Sequence, residues 1–387
     1  MSATASTSIY TKDHPLLTRI VENRELTGPE SEKETRHFAI DIAGSGLTYS
    51  AGDALGICPT NRPLEVEEII ERLGATGWEG ITLPRGSETV TLREALLNKL
   101  ALAGPTRRTV ELFAQRVSAP AERARLETLL APESAEALAE FTAERHFVDL
   151  LIENPSAPLS PQEFVDQLRR LSPRLYSIAS SPLVYPDHVH LTVSVVRYTT
   201  NRRDRHGVCS TFLANRVALG ETPVLVFAAE SHFRLPADTA RDVIMVGPGA
   251  GLAPFRAFLQ EREATAATGR NWLYFGEQHR ACDFLYREEL EAWRASGHLA
   301  RLDLAFSRDQ EERIYVQQRM LEAAEELWRW LEGGACLYVC GDAKRMAKDV
   351  DGALHRIVAE QGAMSSEAAA EYVKRLKREK RYQRDVY

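Results

Sequence analysis

The glycines of Gly247-Pro-Gly-Ala-Gly251-Leu-Ala-Pro254-Phe255 are spaced for a turn whose backbone can come close to a phosphate, and Pro254 suits the first turn of a helix behind it. A bare connection between a strand and a helix would ask for the same glycines, so the neighbouring stretches must decide. A common dinucleotide fingerprint ends its second strand in an acidic residue that holds a ribose 2′-hydroxyl. Here that strand ends in Phe275-Gly276-Glu277-Gln278, and Glu277 alone does not settle the matter. The third strand ends in Ser307-Arg308, followed by Arg313-Ile-Tyr315-Val-Gln317. Serine and arginine at the carboxyl end of a strand offer charge and donors for a 2′-phosphate, which favours NADPH over NADH. Gly247, Gly249 and Gly251 are then candidate cofactor-binding residues.

Upstream, Arg174-Leu175-Tyr176-Ser177 reads as a strand in which Arg174 and Tyr176 share a face. An aromatic beside an anion-binding arginine can stack on a planar ring while the arginine holds the phosphate tail, although a half-buried structural strand shows the same pattern. Gly207-Val208-Cys209-Ser210 is a second glycine turn opening a helix. Two separate phosphate sites imply two nucleotides.

The elements that must position these residues are of three kinds. Leu16 to Pro59 alternates apolar and polar residues in short runs, as in His37-Phe-Ala-Ile-Asp-Ile42, and predicts antiparallel strands. Residues 63–165 change to helical spacing, with Val66, Ile69, Ile70 and Leu73 on one face. Strands return at Leu175 to Ala179, His190 to Arg197 and Val224 to Ala228. After Pro236 apolar strands alternate with helices: Asp242 to Val246, Asn271 to Phe275, Leu302 to Phe306 and Ala335 to Cys340. This predicts an antiparallel β-barrel with a helical insertion over residues 1–235, then a doubly wound parallel sheet over 236–387.

The 387 residues carry 48 basic and 55 acidic side chains and are 44% hydrophobic, which fits a chain of two or three domains and excludes a disordered one. A net charge of −7 argues against general nucleic-acid binding. No apolar run reaches the length of a membrane span and Met1 to Lys12 lacks a signal core, so a cytoplasmic chain is expected. Cys58, Cys209, Cys282, Cys336 and Cys340 show neither a disulfide pattern nor zinc spacing, and no metal is expected.

Taken together, Arg174 to Ser177, Val193 to Tyr198, Gly207 to Ser210, Gly247 to Phe255, Ser307 to Gln310, Tyr315 to Gln317, Tyr338 to Asp342 and Arg381 to Tyr387 resemble the reductase module of the NADPH-sulfite reductase flavoproteins. These belong to the wider diflavin reductase group of the ferredoxin-NADP reductase superfamily. The resemblance implies FAD held by Arg174, Leu175, Tyr176, Ser177, Thr192, Val193, Ser194, Tyr198, Gly207, Val208, Cys209 and Ser210, with Tyr387 over the isoalloxazine ring. It implies NADPH held by Ser307, Arg308, Arg313, Tyr315, Gln317 and Asp349. Family members begin with a flavodoxin-like FMN domain, which is not apparent here, so FMN is expected only on a separate partner. Ala250 replaces a more usual threonine, which bears on NADPH affinity, and Cys209 stands where a small residue is more common.

Hydride transfer requires nicotinamide and flavin to stack, with the protein supplying alignment. By resemblance, Ser177 bonds near the reactive flavin nitrogen, Cys340 lies beside the nicotinamide and Asp385 stabilises positive charge developing there. Tyr387 must swing aside first, so its loss is expected to alter the preference for NADPH over NADH. The implied function is an FAD reductase passing electrons singly to an FMN protein, ultimately for a sirohaem iron-sulfur sulfite reductase subunit. The alternatives are a flavodoxin or ferredoxin reductase of another pathway and a mainly structural FAD-carrying assembly subunit. The basic run Lys374 to Arg384 reads as a solvated helix face or as a docking surface for an acidic flavodoxin.

Overall fold

Between Leu16 and Cys58 the alternating residues form the strands Leu16–Glu25, Thr35–Asp41 and Ala54–Cys58. The computed structural model describes residues 9–84 and 86–387. A six-stranded sheet runs in the order Arg174–Ser177, Ala54–Cys58, Pro223–Ala229, Leu16–Glu25, Thr35–Asp41, His188–Ser194. Leu16–Glu25 pairs antiparallel with Pro223–Ala229 and Thr35–Asp41, and Thr35–Asp41 pairs antiparallel with His188–Ser194. The two ends of the sheet meet through an Ile178–Leu191 bridge, which curls it toward a barrel.

By contacts the chain divides into two compact units. One holds the described residues up to Ile57, Leu175–Val195 and Val217–Tyr387; the other holds Cys58–Arg174 and Val196–Arg216. The first unit thus contains both the curled sheet and the parallel sheet that follows Pro236.

Strand Thr35–Asp41 is buried on both faces, because Phe38 and Ile40 point one way and His37 and Ala39 the other. His37 Nδ1 lies 2.9 Å from the Tyr286 hydroxyl and its ring packs edge-on against His190 at 4.7 Å between centroids. Arg256 anchors the same cluster, donating to the Ala179 carbonyl at 2.7 Å and to Glu289 at 2.7 and 3.0 Å. Burial first, and then the neighbouring His190 and Arg256, push the His37 pKa down to about 2. Burial and Arg256 push His190 down to about 3.

The parallel sheet has the order Arg301–Phe306, Asn271–Glu277, Val243–Val246, Cys336–Gly341, Tyr382–Val386. Alternation sorts its side chains into two cores: Ile244, Val246, Trp272, Tyr274, Leu337 and Val339 face one layer of helices, and Val243, Met245, Leu273, Phe275 and Tyr338 face the other. The sequence predicts four of these strands. The fifth, Tyr382–Val386, is polar enough to escape an apolar-run reading, yet it pairs in parallel with Cys336–Gly341 and sets Asp385 opposite Cys340. The basic run before it is largely ion-paired, with Lys374 and Arg378 on Glu371, Arg375 and Arg381 on Glu379, and Lys377 and Arg384 on Asp351.

In the second unit, helices including Pro63–Arg72, Arg107–Arg116, Ala135–Glu144 and Phe147–Glu153 enclose a core containing Ile69, Leu96, Phe113, Phe147 and Phe164. This segment is not purely helical. The β-branched pieces Gly80–Thr82 and Thr89–Thr91 form a short antiparallel ribbon, and Leu100–Ala101 pairs with Arg169–Arg170. The expected strand from His190 to Arg197 also differs: it ends at Ser194, and Arg197–Thr200 turns back on Arg203–His206. The turn residues Asn201 and Arg202 both have positive φ, 48° and 57°, as a tight hairpin requires. Asp149 is buried and ion-paired with Arg205, and its Oδ2 accepts from the His146 N–H at 2.7 Å. No helix of the described residues is long and apolar enough to cross a membrane.

Candidate active site

Strand Val243–Val246 sits at the centre of the parallel sheet, where strand order reverses toward Cys336–Gly341. In such sheets the crevice beyond the carboxyl ends at this reversal is where ligands bind. The chain leaves the strand through a short turn, Gly249–Leu252, into the helix Ala253–Ala264. Gly249 takes φ +59°, and a Cβ on Gly251 would stand 2.3 Å from the Cys340 carbonyl oxygen. Glycine is therefore demanded here by backbone conformation and by the neighbouring strand. Of the three candidate glycines, Gly249 lines the cavity that opens in the crevice, while Gly251 is spent on packing and Gly247 accommodates the Phe255 ring.

That cavity has a volume of about 550 Å³, and Ser307, Arg308, Arg313, Tyr315, Gln317 and Asp349 all line it. The Ser307 and Arg308 N–H groups donate to the Glu277 and Gln278 carbonyls, each at 2.9 Å, which fixes the turn after the third strand. The Arg308 guanidinium pairs with Glu32. Arg313 and Arg345 face the cavity with no ion-pair partner among the described residues. Arg313 and Arg345 on the walls, a positive-φ glycine turn and this volume fit a phosphorylated dinucleotide, with Glu277, Asp342 and Asp349 as the acidic part of the lining.

At the carboxyl end of Cys336–Gly341 three side chains converge. The Ser177 hydroxyl donates to Asp385 Oδ2 at 2.6 Å, and the Cys340 thiol donates to the same oxygen at 3.8 Å. Cys340 is fully buried, and burial, followed by the charge of Asp385, raises its pKa well above the ordinary thiol range. It is a protonated thiol and a donor rather than a thiolate. Strand pairing holds Asp385 in place. Beyond it the backbone of Tyr387 is pinned to Gly341 and Ala343 by hydrogen bonds of 3.2 and 3.0 Å, while its side chain is 67% exposed.

The residues implied for FAD are distributed over both units. In the first, Leu175 is exposed and Tyr176 and Ser177 are half-buried. Thr192 is buried with its hydroxyl 2.7 Å from that of Tyr286, Val193 is buried, and Ser194 is exposed. In the second, Arg174 is exposed and donates to the Ser172 carbonyl at 3.2 Å, and Tyr198 projects from its hairpin at 47% exposure. Gly207 precedes the helix Val208–Asn215 and donates its N–H to the Val196 carbonyl at 2.8 Å. The Ser210 hydroxyl accepts from the Val196 N–H at 3.1 Å, and Cys209 is buried.

Three contributions escaped the sequence reading. Asp342 and Arg345 line the cavity directly after a strand's carboxyl end, a position the same rule could have flagged. Arg216 donates to the Thr60, Asn61 and Val208 carbonyls at 2.6 to 3.3 Å, bracing the turn that opens Val208–Asn215. Lys33 also reaches the cavity, from the connection between Leu16–Glu25 and Thr35–Asp41, and nothing in its local sequence marks it.

The family profile of the FAD binding domain matches residues 9–212, and that of the oxidoreductase NAD-binding domain matches residues 245–352. The sulfite reductase (NADPH) flavoprotein alpha-component of Bacillus subtilis (strain 168) is 43% identical over 380 residues, and that of Shigella flexneri is 47% identical over 383. The corresponding protein of Escherichia coli (strain K12) is 46% identical over 383 residues. Each alignment takes in 98% of this chain but 62% of the relative, so the chain spans under two thirds of the length of these relatives. With more than half of its residues matched by the first profile, the chain belongs to the FAD binding domain family and carries an oxidoreductase NAD-binding domain behind it.

Proposed function

We propose that the chain is an NADPH-dependent flavin reductase, in which residues 1–235 hold FAD and residues 236–387 hold NADPH. The observation that carries this reading is the convergence of Ser177 and Cys340 on the Asp385 carboxylate beside the glycine-turn cavity. When bound, FAD supplies the chemistry of accepting a hydride and releasing its electrons one at a time. Ser307, Arg308, Arg313, Tyr315, Gln317 and Asp349 hold NADPH, with the arginines on its phosphates. Ser177 donates its proton to Asp385 and also bonds the Cys340 thiol, which fixes its hydroxyl beside the ring pocket. Cys340 stays neutral and shapes the ring pocket without introducing charge, while Asp385 places one negative charge where positive charge develops. The Arg174 to Ser177 segment, Thr192 to Ser194, Tyr198 and Gly207 to Ser210 hold FAD, and the exposed Tyr387 ring is the element that moves aside for nicotinamide.

The electrons pass to a flavodoxin-like FMN protein or domain and from there to a sirohaem sulfite reductase, which places the chain in sulfite reduction to sulfide. The naming of the relatives as sulfite reductase alpha-components supports this. Five cysteines that form no disulfide fit the reducing cytoplasm. Anaerobic stopped-flow of the FAD-loaded chain with NADPH tests the reading: the flavin absorbance should bleach, and recover when an oxidised FMN protein is added. Absence of bleaching refutes the reductase assignment. Bleaching without onward transfer leaves the reductase and removes the FMN partner.

A further inference from the structure

Glu277 stands at the carboxyl end of the second parallel strand, where an acidic side chain ordinarily selects the 2′-hydroxyl of NADH and repels a 2′-phosphate. In this chain it lines the same cavity as Ser307 and Arg308, the pair suited to that phosphate. Its side chain is only 3% exposed, and its oxygens are taken: Lys33 Nζ donates to Oε1 at 3.0 Å and to Oε2 at 2.7 Å, and the Gln278 N–H donates to Oε2 at 2.9 Å. Oε1 also stands 3.1 Å from the position a Cβ would take on Gly249, so the carboxylate abuts the glycine turn.

Lys33 comes from the curled-sheet part of the unit, and its loop is tied down around it. The Gly28 N–H donates to the Cys282 carbonyl at 2.7 Å, Ser31 bonds the buried Asp283, the Lys33 N–H donates to Ser31 Oγ at 3.0 Å, and Glu32 pairs with Arg308. The ammonium is thus held at the carboxylate by the loop rather than by chance of a mobile side chain.

We propose that Lys33 is a specificity-determining residue: by neutralising Glu277 in a two-oxygen ion pair, it permits a 2′-phosphate beside a residue that would otherwise exclude it. This rests on the NADPH reading above. It assigns to the β-sheet lobe a share in choosing the nucleotide bound by the other lobe. Removing the ammonium leaves a carboxylate with one N–H donor facing a phosphate of nearly two negative charges, and like charges at contact range disfavour binding strongly.

The test uses the FAD-loaded protein and calorimetric titration with 2′,5′-ADP and 5′-AMP, whose affinity ratio isolates the 2′-phosphate. Lys33→Met should lower that ratio by about tenfold, and Lys33→Met combined with Glu277→Gln should restore it. Glu277→Gln alone should hold or raise it, because Lys33 is then free to meet the phosphate. A Lys33→Met ratio equal to that of the unsubstituted protein overturns the proposal. So does a lowered ratio that Glu277→Gln fails to restore, which would make Lys33 a direct phosphate ligand. Equal binding of both probes by the unsubstituted protein instead overturns the NADPH reading on which the proposal stands.

Discussion

Asp385 offers the sharpest handle on the proposed chemistry, because Asp385→Asn removes a charge while keeping shape and strand pairing. Two donors reach its carboxylate, Ser177 at 2.6 Å and Cys340 at 3.8 Å. A hydrogen bond to an ionised acceptor contributes roughly 1.5–3 kcal/mol and a neutral one roughly 0.5–1.5 kcal/mol, so the substitution forfeits about 1–2 kcal/mol at this point. If that difference is expressed at the transition state, hydride transfer slows by roughly 5- to 30-fold. The backbone register of Cys340 with Asp385 does not involve the side chain, so the fold and FAD content should be retained, with the melting temperature lowered by no more than about a few degrees. The assay is single-turnover stopped-flow at saturating NADPH, repeated with NADPH deuterated at the transferred position. The reasoning fails if the rate stays within about twofold of the parent, or if the whole loss lies in NADPH affinity with the isotope effect unaltered.

Gly251→Ala forces a Cβ to 2.3 Å from the Cys340 carbonyl oxygen. It should cost about 1–3 kcal/mol in urea unfolding and weaken 2′,5′-ADP binding; a variant as stable as the parent contradicts the close-packed turn. His37 and His190 are held neutral in the folded chain, with pKa values of about 2 and about 3 against 6.5 when unfolded. Below pH 6.5 the unfolded chain therefore takes up protons that the folded chain refuses, and stability falls as pH drops, by up to roughly 2.7 kcal/mol per unit for the two together. Unfolding curves between pH 7 and pH 5 should show this slope, and His37→Gln with His190→Gln should flatten it; an equal slope in the double variant rules out these two groups. Asp149→Asn leaves Arg205 buried without its counter-charge and should destabilise the helical unit by about 3–5 kcal/mol. Hydrogen exchange localised to residues 58–174 and 196–216 would register it, and uniform exchange across the chain would count against it.

The nucleotide-binding part was readable because its strands are apolar on both faces and end in glycine or in paired serine and arginine, a pattern with few physical alternatives. Tyr382–Val386 was not, since an edge strand with one neighbour needs little apolar surface, and only parallel pairing with Cys336–Gly341 reveals it. The hairpin after Ser194 follows from two consecutive positive-φ residues, Asn201 and Arg202, which carry no glycine to announce them. The convergence of Ser177, Cys340 and Asp385 was expected from resemblance; no spacing along the chain could give it, because Ser177 and Asp385 lie 208 residues apart. The burial of His37 against Tyr286 and the reach of Lys33 to Glu277 are likewise products of packing between distant segments. Periodicity reports which face of an element is inside, and is silent on what it will meet there.

The Lys33–Glu277 pair also bears on how interchangeable such domains are. A chimera that grafts residues 236–387 behind another flavin-binding lobe carries Glu277 away from its counter-ion and leaves an unneutralised carboxylate against the glycine turn. A transplant that preserves every residue touching the nucleotide lobe's own sheet would then misread its coenzyme. If Lys33 has the role proposed for it, recombination at the seam between the lobes keeps the preference for a 2′-phosphate only where the donor loop brings a cation to the position of Lys33, or where Glu277 is exchanged with it.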